Sequence, residues 1–563
     1  MNLLRKLDPN KMHVVPFGGC SEFGMNATAY LYQRKLYLVD AGILFPDPQM
    51  LGVSSILPDF GKLFRSRKPV AAYIITHGHE DHIGAVPYLY ERWPAPVYAT
   101  PWTYELLKRK FEELRLPFDD LHMVKVGSTA KVGPLKVEYI HVNHSIPDAA
   151  SLYITVKNHK IFHTGDFKID PTPVGCPPVS LDKLKEVGKK GVDLLIADST
   201  NAHKSGPSPS EMSVKEPLAD ILRGAKGRVL LTTFASNLWR LKVIADLCAE
   251  LGKKLAIAGR GMANCLELGK QLGYIHFQDD LIVPLDRIKS VPNHKLVILI
   301  SGSQGEDRSA LTRVARGQHR QLKINEGDLV LFSSRAIPGN EKSIFMLYDI
   351  LKKQGARVIS AADRPDIHVS GHAYGGDLEA FIKCLKPRHY LPVHGTFSHL
   401  QSNWKIGEGF QDLKHSRTLI QNGDVLTVSS TECPKVVGNM DIGTTYIDRN
   451  SLLPLDVEVA SERHRVGEIG ALIISGAYSI KHRSFKQSPR VQVVGVAGPI
   501  GLKVNEWQDE MGYWLEEKIE QWSEKLRHID ERLLEKRIRQ LMQQYCMTTV
   551  GYKPDLFIHS CVV

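Results

Sequence analysis

His77-Gly78-His79-Glu80-Asp81-His82 follows, after Thr76, the apolar run Ala71-Ala72-Tyr73-Ile74-Ile75. Three imidazoles and the Asp81 carboxylate are thus crowded into one turn at the end of a predicted strand. Neutral imidazole nitrogen and carboxylate oxygen are the ligands that Zn²⁺ or Mn²⁺ prefer. The alternating His-x-His can aim two rings at one ion, and the adjacent Asp81 and His82 can turn towards a second. The plain alternative is a polar loop, but a chance His-x-His-x-Asp-His after a buried strand is improbable.

Such a cluster needs partners, and the chain has three at strand ends. His144 follows the strand-like 135–142, Asp166 follows 160–164 and Gly165, and His394 follows 389–393 and precedes Gly395. Strand ends are where an αβ scaffold places side chains at a rim. Any one of these residues alone reads as an ordinary loop or core residue. With the first cluster they complete a dinuclear site.

At 563 residues the chain can bury more than one core. Its 43% hydrophobic and 24% charged residues describe an ordinary soluble globular protein. The net charge of +11 suits a polyanionic substrate but decides little by itself. Eight cysteines without a Cys-x-x-Cys pair argue against a zinc ribbon and a disulfide framework. The N-terminal stretch from Met1 to Asp8 has no signal-peptide core, and no apolar run approaches the roughly 20 residues of a membrane helix. A cytoplasmic location without membrane association is expected.

The rhythm of the chain changes three times. Residues 1–205 read as short strands (35–41, 70–76, 97–100, 135–142, 151–156, 160–164 and 192–197) with an exposed helix at 102–114. Two sheets packed face to face and flanked by helices would account for them. Over 206–366, strands at 228–233, 254–258, 296–301 and 329–333 each lead into a helix, at 239–251, 261–272, 309–316 and 342–354. Repeated strand–helix units predict a parallel sheet with helices on its faces, here an inserted lid. Residues 367–432 return to the sandwich. Residues 433–563 form a linker and a small α+β domain, with strands near 455–460, 471–478 and 491–497 and one helix over 505–545. Trp507, Met511, Trp514 and Leu515 lie at helical spacing and read as a packing face. Leu556-Phe557-Ile558 reads as a closing strand in a subdomain for self-association.

HGHEDH, His144, Asp166 in HTGDF and Asp40 in LVDAG resemble the successive motifs of the metallo-β-lactamase fold. Asp198 in ADSTN, His372 in HVSGH and His394 in PVHG resemble the further motifs of its β-CASP branch, the nucleic-acid nucleases. Longer stretches, among them NHSIPDA, TFASN, GSQGE, HRQLKI and SSRAIPGNEK, are similar to bacterial ribonuclease J, from about Val14 to the C-terminus. The resemblance implies an αββα sandwich with an inserted parallel α/β domain. It also implies a metal-dependent ribonuclease of RNA processing and decay, exonucleolytic from a 5′-monophosphate end and also endonucleolytic. The substrate would be single-stranded RNA, and the chain a homodimer or homotetramer with partners in an RNA-degrading complex. A DNA-directed nuclease of the same branch and a scaffold subunit of such a complex are the alternatives.

On this basis one ion is assigned to His77, His79 and His144 and the other to Asp81, His82 and His394, with Asp166 bridging. The two divalent ions would be zinc, with manganese or magnesium as alternatives. They would share a hydroxide that attacks the phosphodiester in line with the leaving 3′ oxygen. Asp40 is expected to orient the first cluster, and Asp198 to hold a ligand imidazole or to ligate directly. Asp81 and His372 are assigned to catalysis, His372 as a phosphate grip or as proton donor to the leaving oxygen. The substrate pocket is placed at His368, Val369, Ser370, Gly371 and His372, with Ser236 and Asn237 as further members. The ordinary alternatives are that His368 and His372 share a helix start and that Ser236-Asn237 is an N-cap pair.

Two departures from the family pattern stand out. Thr396 and Ser398 occupy places where the family usually has Glu and Arg, and Asp307-Arg308 follows Glu306 where it usually has Pro. Weaker orientation of His394 is expected from the first.

Overall fold

Strict alternation of side chains decides how the sheets of the computed structural model stack. It describes every residue except 1–5, 48, 62–68, 279, 414–416, 430, 431 and 433. Cys433 and the start of the N-terminal stretch therefore lie outside the described residues. The chain forms two compact units, Met1–Leu44 with Leu57–Thr444, and Phe45–Ile56 with Thr445–Val563.

In the first unit, an eight-stranded sheet runs in the order Lys435–Asn439, Asp424–Val428, Met12–Gly18, Ala27–Tyr32, Lys35–Val39, Val70–Ile74, Val97–Ala99, Leu121–Met123. A six-stranded sheet runs His389–Val393, Leu194–Asp198, His159–His163, Ala150–Val156, Leu135–His141, Thr129–Val132. Tyr30, Val39, Ala72 and Ile74 of the first share one buried core with Val137, Tyr139, Leu152, Ile154, Leu194 and Ile196 of the second. The intervening residues Ile140, Tyr153, Phe162 and Leu195 turn to the other face of the six-stranded sheet. There they meet Leu184, Val187, Leu378 and Phe381 of the helices Leu181–Lys190 and Gly375–Leu385. Period-two patterning of this kind is what a two-layer core requires. The expected sandwich is present, and it reaches beyond residue 432 into the edge strand Lys435–Asn439.

The lid is a five-stranded parallel sheet in the order Lys254–Ala258, Leu296–Ile300, Val229–Thr232, Leu329–Phe332, Arg357–Ser360. Leu231, Leu255, Val297 and Leu331 face helices Lys215–Gly224, Leu238–Glu250 and Arg260–Gln271, whereas Leu230, Ala256, Ile298 and Val330 face Ala310–Ala315 and Glu341–Lys353. Both faces are covered, so these strands read as continuous apolar runs. The four expected strand–helix pairs are all present. The fifth strand and the helix Lys215–Gly224 were not expected.

The second unit packs Trp507, Met511, Leu515 and Ile519 with Leu534, Ile538 and Met542 against Leu472, Ile474 and Tyr478, and Trp514 packs against the same cluster. The aromatic stripe is a packing face. Two expectations need correction here. The single helix over 505–545 is two, Val504–Ser523 and Glu531–Thr549, because Asp530 accepts from Leu533 N (2.7 Å) and caps a new start. The strand expected near 455–460 is only Pro454–Leu455, after which Val457–Ile469 is helical. The closing strand is longer than its apolar core, Asp555–Val562, and pairs in parallel with Ala471–Ser479.

Candidate metal centre

Strand polarity gathers the site. Leu194–Asp198 runs parallel to both His159–His163 and His389–Val393, so Asp166, Asp198 and His394 emerge at one rim. Leu135–His141 is antiparallel to the strand that is antiparallel to His159–His163, which brings His144 to the same rim. Across the sandwich, Val70–Ile74 delivers His77, His79, Asp81 and His82.

His79 Nδ1 lies 3.1 Å from His77 Nε2 and 3.0 Å from His144 Nε2. His77 and His144 present lone pairs there, so His79 Nδ1 either donates a proton to one of them or shares a cation with both. Tetrahedral metal–nitrogen bonds of ordinary length place neighbouring ligand nitrogens about 3.3 Å apart, so the donors fit an ion. Asp166 Oδ2 approaches this trio, 3.6 Å from His77 Nε2 and 3.8 Å from His144 Nε2. The same oxygen lies 3.2 Å from His82 Nε2, while Oδ1 is 3.7 Å from His394 Nε2. Asp81 Oδ2 stands 3.6 Å from His82 and 3.4 Å from His394. Two donor groups, His77-His79-His144 and Asp81-His82-His394, therefore have Asp166 in common. Asp198, His372 and His394 form a third group with the same carboxylate.

Buried polar residues set which ring nitrogen each histidine presents. His77 Nδ1–H donates to Thr76 Oγ1 (3.0 Å), which donates to Asp40 Oδ2 (2.7 Å). That oxygen also accepts from His82 Nδ1 (2.8 Å), and Thr76 N donates to Asp40 Oδ1 (2.8 Å). His144 Nδ1 donates to Gly371 O (2.8 Å). His394 Nδ1 donates to Thr200 Oγ1 (2.7 Å), which donates to Asp198 Oδ1 (2.7 Å). In each case Nε2 faces the centre. Asp40 and His394 hold left-handed backbone, at φ +59° and +61°, a strain that clusters at functional sites.

The electrostatics differ across the centre. Burial, with neighbouring imidazoles, holds His77 and His144 well below the usual histidine range and His79 at about 4, which keeps them in the ligating neutral form. Burial would depress His82 and His394 too, but Asp166 with Asp81 and Asp40, or with Asp198, raises them. The imidazoles around Asp166 hold its carboxyl well below the usual range despite burial. The carboxylates at this end thus favour positive charge, on the imidazoles themselves or on a bound cation.

His372 Nδ1 lies 2.9 Å from Asp198 Oδ2, and its ring stacks on His394 at 5.5 Å. Ser370 Oγ accepts from Asn201 Nδ2 (2.8 Å) and His372 N (3.3 Å). Gly371 faces the cluster itself, for a Cβ there would meet His144 Nδ1 at 2.9 Å. His368, Val369 and Ser370 form an irregular segment before the helix Gly375–Leu385, so His368 and His372 share no helix start. His368 and Val369 are buried, with His368 Nδ1 at 3.3 Å from Ser333 O. Asn237 Oδ1 accepts from Arg240 N (3.0 Å), so Asn237 acts as an N-cap, and Ser236 is exposed beside it.

Several residues escaped the sequence reading. Thr76, Thr200, Asn201 and Asn26, whose Nδ2 donates to Asp81 Oδ2 (3.2 Å), are short polar side chains with no signal beyond their place in the motifs. Lys204 has its Nζ over the Tyr374 ring at 4.9 Å, and burial together with Arg335 lowers its pKa to about 8. Lys204 and Arg335 have no carboxylate partner among the described residues. His394 has a support other than the two departing positions. Thr200 holds it, while Thr396 Oγ1 lies 2.7 Å from His399 Nδ1 instead.

Three family models match the chain: "Ribonuclease J, beta-CASP domain" over 226–351, "Beta-lactamase superfamily domain" over 37–233, and "Zn-dependent metallo-hydrolase RNA specificity domain" over 361–402. A protein named ribonuclease J from Helicobacter pylori is 35% identical over 500 residues, 88% of this chain and 72% of its own. One from Corynebacterium glutamicum is 36% identical over 491 residues (87% and 68%). One from Mycobacterium tuberculosis is 36% identical over 438 residues (78% of each). A crystal structure of a protein of unknown function from Enterococcus faecalis V583 superposes with a TM-score of 0.52 at 17% identity, covering 74% of this chain and 100% of that one, and shows likeness of fold. No helix among the described residues is long and apolar enough to cross a membrane.

Proposed function

Because the chain belongs to the ribonuclease J family, a branch of the metallo-β-lactamase nucleases with a β-CASP insertion, we propose that it hydrolyses RNA with two divalent ions. It would remove nucleotides from a 5′-monophosphate end and also cut internally. The observation that carries this reading is the position of Asp166, whose carboxylate reaches both donor groups. His77, His79 and His144 would hold one ion, Asp81, His82 and His394 the other, and Asp166 both. Bound ions of this kind supply Lewis acidity and make water nucleophilic at neutral pH.

The chain's own residues do the rest. Asp81 has the most exposed of the ligand carboxylates and accepts the proton that the attacking water loses. His372, held at Nδ1 by Asp198, presents its other ring nitrogen and protonates the departing 3′ oxygen. Ser370, fixed by Asn201, holds the terminal phosphate together with the cations of Lys204 and Arg335, both close enough to His368 to act on its ring. A hydroxyl end leaves those donors unpaired, and a triphosphate overfills them.

The test is digestion of matched RNA and DNA strands bearing 5′-monophosphate, 5′-triphosphate or 5′-hydroxyl ends. Mononucleotide release from monophosphorylated RNA is expected, with longer fragments from internal cuts. Equal rates on all three ends would remove the 5′ pocket, and cleavage of DNA alone would remove the ribonuclease assignment.

A further inference from the structure

The lid carries an open cavity of about 620 Å³ away from the metal donors, bounded by Arg260, Arg313, His319, Arg320 and Gln321. Arg260 is the first residue of the helix that follows the edge strand Lys254–Ala258, and Arg313 lies on the helix that follows Leu296–Ile300. His319, Arg320 and Gln321 belong to the loop leading back to the sheet. All three arginines are exposed, and none has a carboxylate partner among the described residues. Asp307, in the loop before Arg313, is taken by Arg316 (2.9 Å). His319 Nδ1 accepts from Leu322 N (3.1 Å) and Gln321 N (3.3 Å), so its Nε2–H is left as a donor. Three cations, a neutral imidazole donor and an amide around one cavity are chemistry for phosphate oxygens.

Its place in the fold supports the same reading. The first turn of the Arg260 helix lies against Ala235, at the carboxyl end of the strand Val229–Thr232. Ligands of open parallel sheets bind beyond that edge. Ser333, at the same edge, meets His368 of the proposed 5′ pocket. The edge strand stands three positions from Leu329–Phe332, about 14 Å at ordinary strand spacing. A few nucleotides of an RNA strand span that distance between the two lid strands.

We propose that the Arg260, Arg313, His319, Arg320 and Gln321 cavity is a second phosphodiester-binding station, which grips the body of an RNA strand whose reacting end is at the metal centre. This rests on the ribonuclease reading. The station serves long strands and contributes nothing to short ones, so the enzyme favours length.

The experiment is the combined variant Arg260→Gln, Arg313→Gln and Arg320→Gln, assayed on a monophosphorylated tetranucleotide and on an unstructured strand of about thirty nucleotides. KM for the long strand should rise at least about tenfold, and the slope of log affinity against log salt should flatten by about 2, from three phosphates at about 0.7 each. KM for the tetranucleotide should not follow. Equal KM for parent and variant on the long strand, equal losses on both lengths, or a mononucleotide site lost without change in long-strand KM would each overturn the station. Fluorescence anisotropy reads binding apart from cleavage. A parent that binds the long strand through these arginines yet cuts no RNA would sink the ribonuclease reading and leave the station standing.

Discussion

Replacing Asp40 by Asn should weaken metal binding without touching a ligand. Asp40 Oδ2 accepts from both Thr76 Oγ1 and His82 Nδ1, and Oδ1 accepts from Thr76 N. Asn has the same shape and tolerates the left-handed backbone at φ +59°. It offers one acceptor where the carboxylate offers two, so at least one buried donor must face an amide NH₂. The unsatisfied contact costs roughly 1–3 kcal/mol. Lost orientation of His82, and through Thr76 of His77, should lower metal affinity about 10- to 100-fold, or about 1.4–2.7 kcal/mol. The assay is cleavage rate against free metal in a chelator-buffered series, with bound metal counted in the same samples. The curve should shift to higher metal and reach nearly the parent rate at saturation. An unshifted curve would refute the claim that Asp40 orients the ligands. A shifted curve with a collapsed plateau would mean that Asp40 acts on the reaction itself.

Asp166→Ala should abolish cleavage of every substrate and empty the centre of bound metal while far-ultraviolet dichroism stays that of the parent; near-normal turnover would end the two-ion proposal. Thr200→Val removes the acceptor of His394 Nδ1 and should cost about tenfold in metal affinity. By contrast, Thr396→Glu with Ser398→Arg should leave turnover unchanged, since neither residue orients His394; a gain in rate would show otherwise. Arg240 is fully buried, with Glu211 on one side and Ser333 and Ile367 carbonyls on the other. Arg240→Met strands the Glu211 charge and should cost about 3–5 kcal/mol in denaturant unfolding, with part recovered by adding Glu211→Gln. An unaltered midpoint would show that the pair is solvated.

The fold was legible wherever burial dictated the residue pattern. Strands covered on both faces announced the lid, and the His-x-His-x-Asp-His turn announced the rim of the sandwich. The edge strand Arg357–Ser360 was not legible, because half of it faces solvent and it lacks a long apolar run. The break at Asp530 lies in a charged stretch without Gly or Pro, and only a cap residue marks it. Val457 and Val459 suggested a strand, yet they lie exposed on a helix. At the centre, the histidines and aspartates were visible because their spacing is rare. Thr76, Thr200 and Asn201 were not, since a threonine or asparagine says nothing until its neighbour in space is known.

The donors come from residues 77 to 82, from 144 and 166, and then, past the whole lid, from 394. On the proposed assignment, a chain still being synthesised has no complete second ion site until residue 394 has left the ribosome and its strand has docked beside Leu194–Asp198. Until then the chain carries His77, His79, His144 and Asp166 without the histidine that closes the second donor group. On that assignment, activity comes only with the last part of the sandwich to be made, after the whole inserted domain.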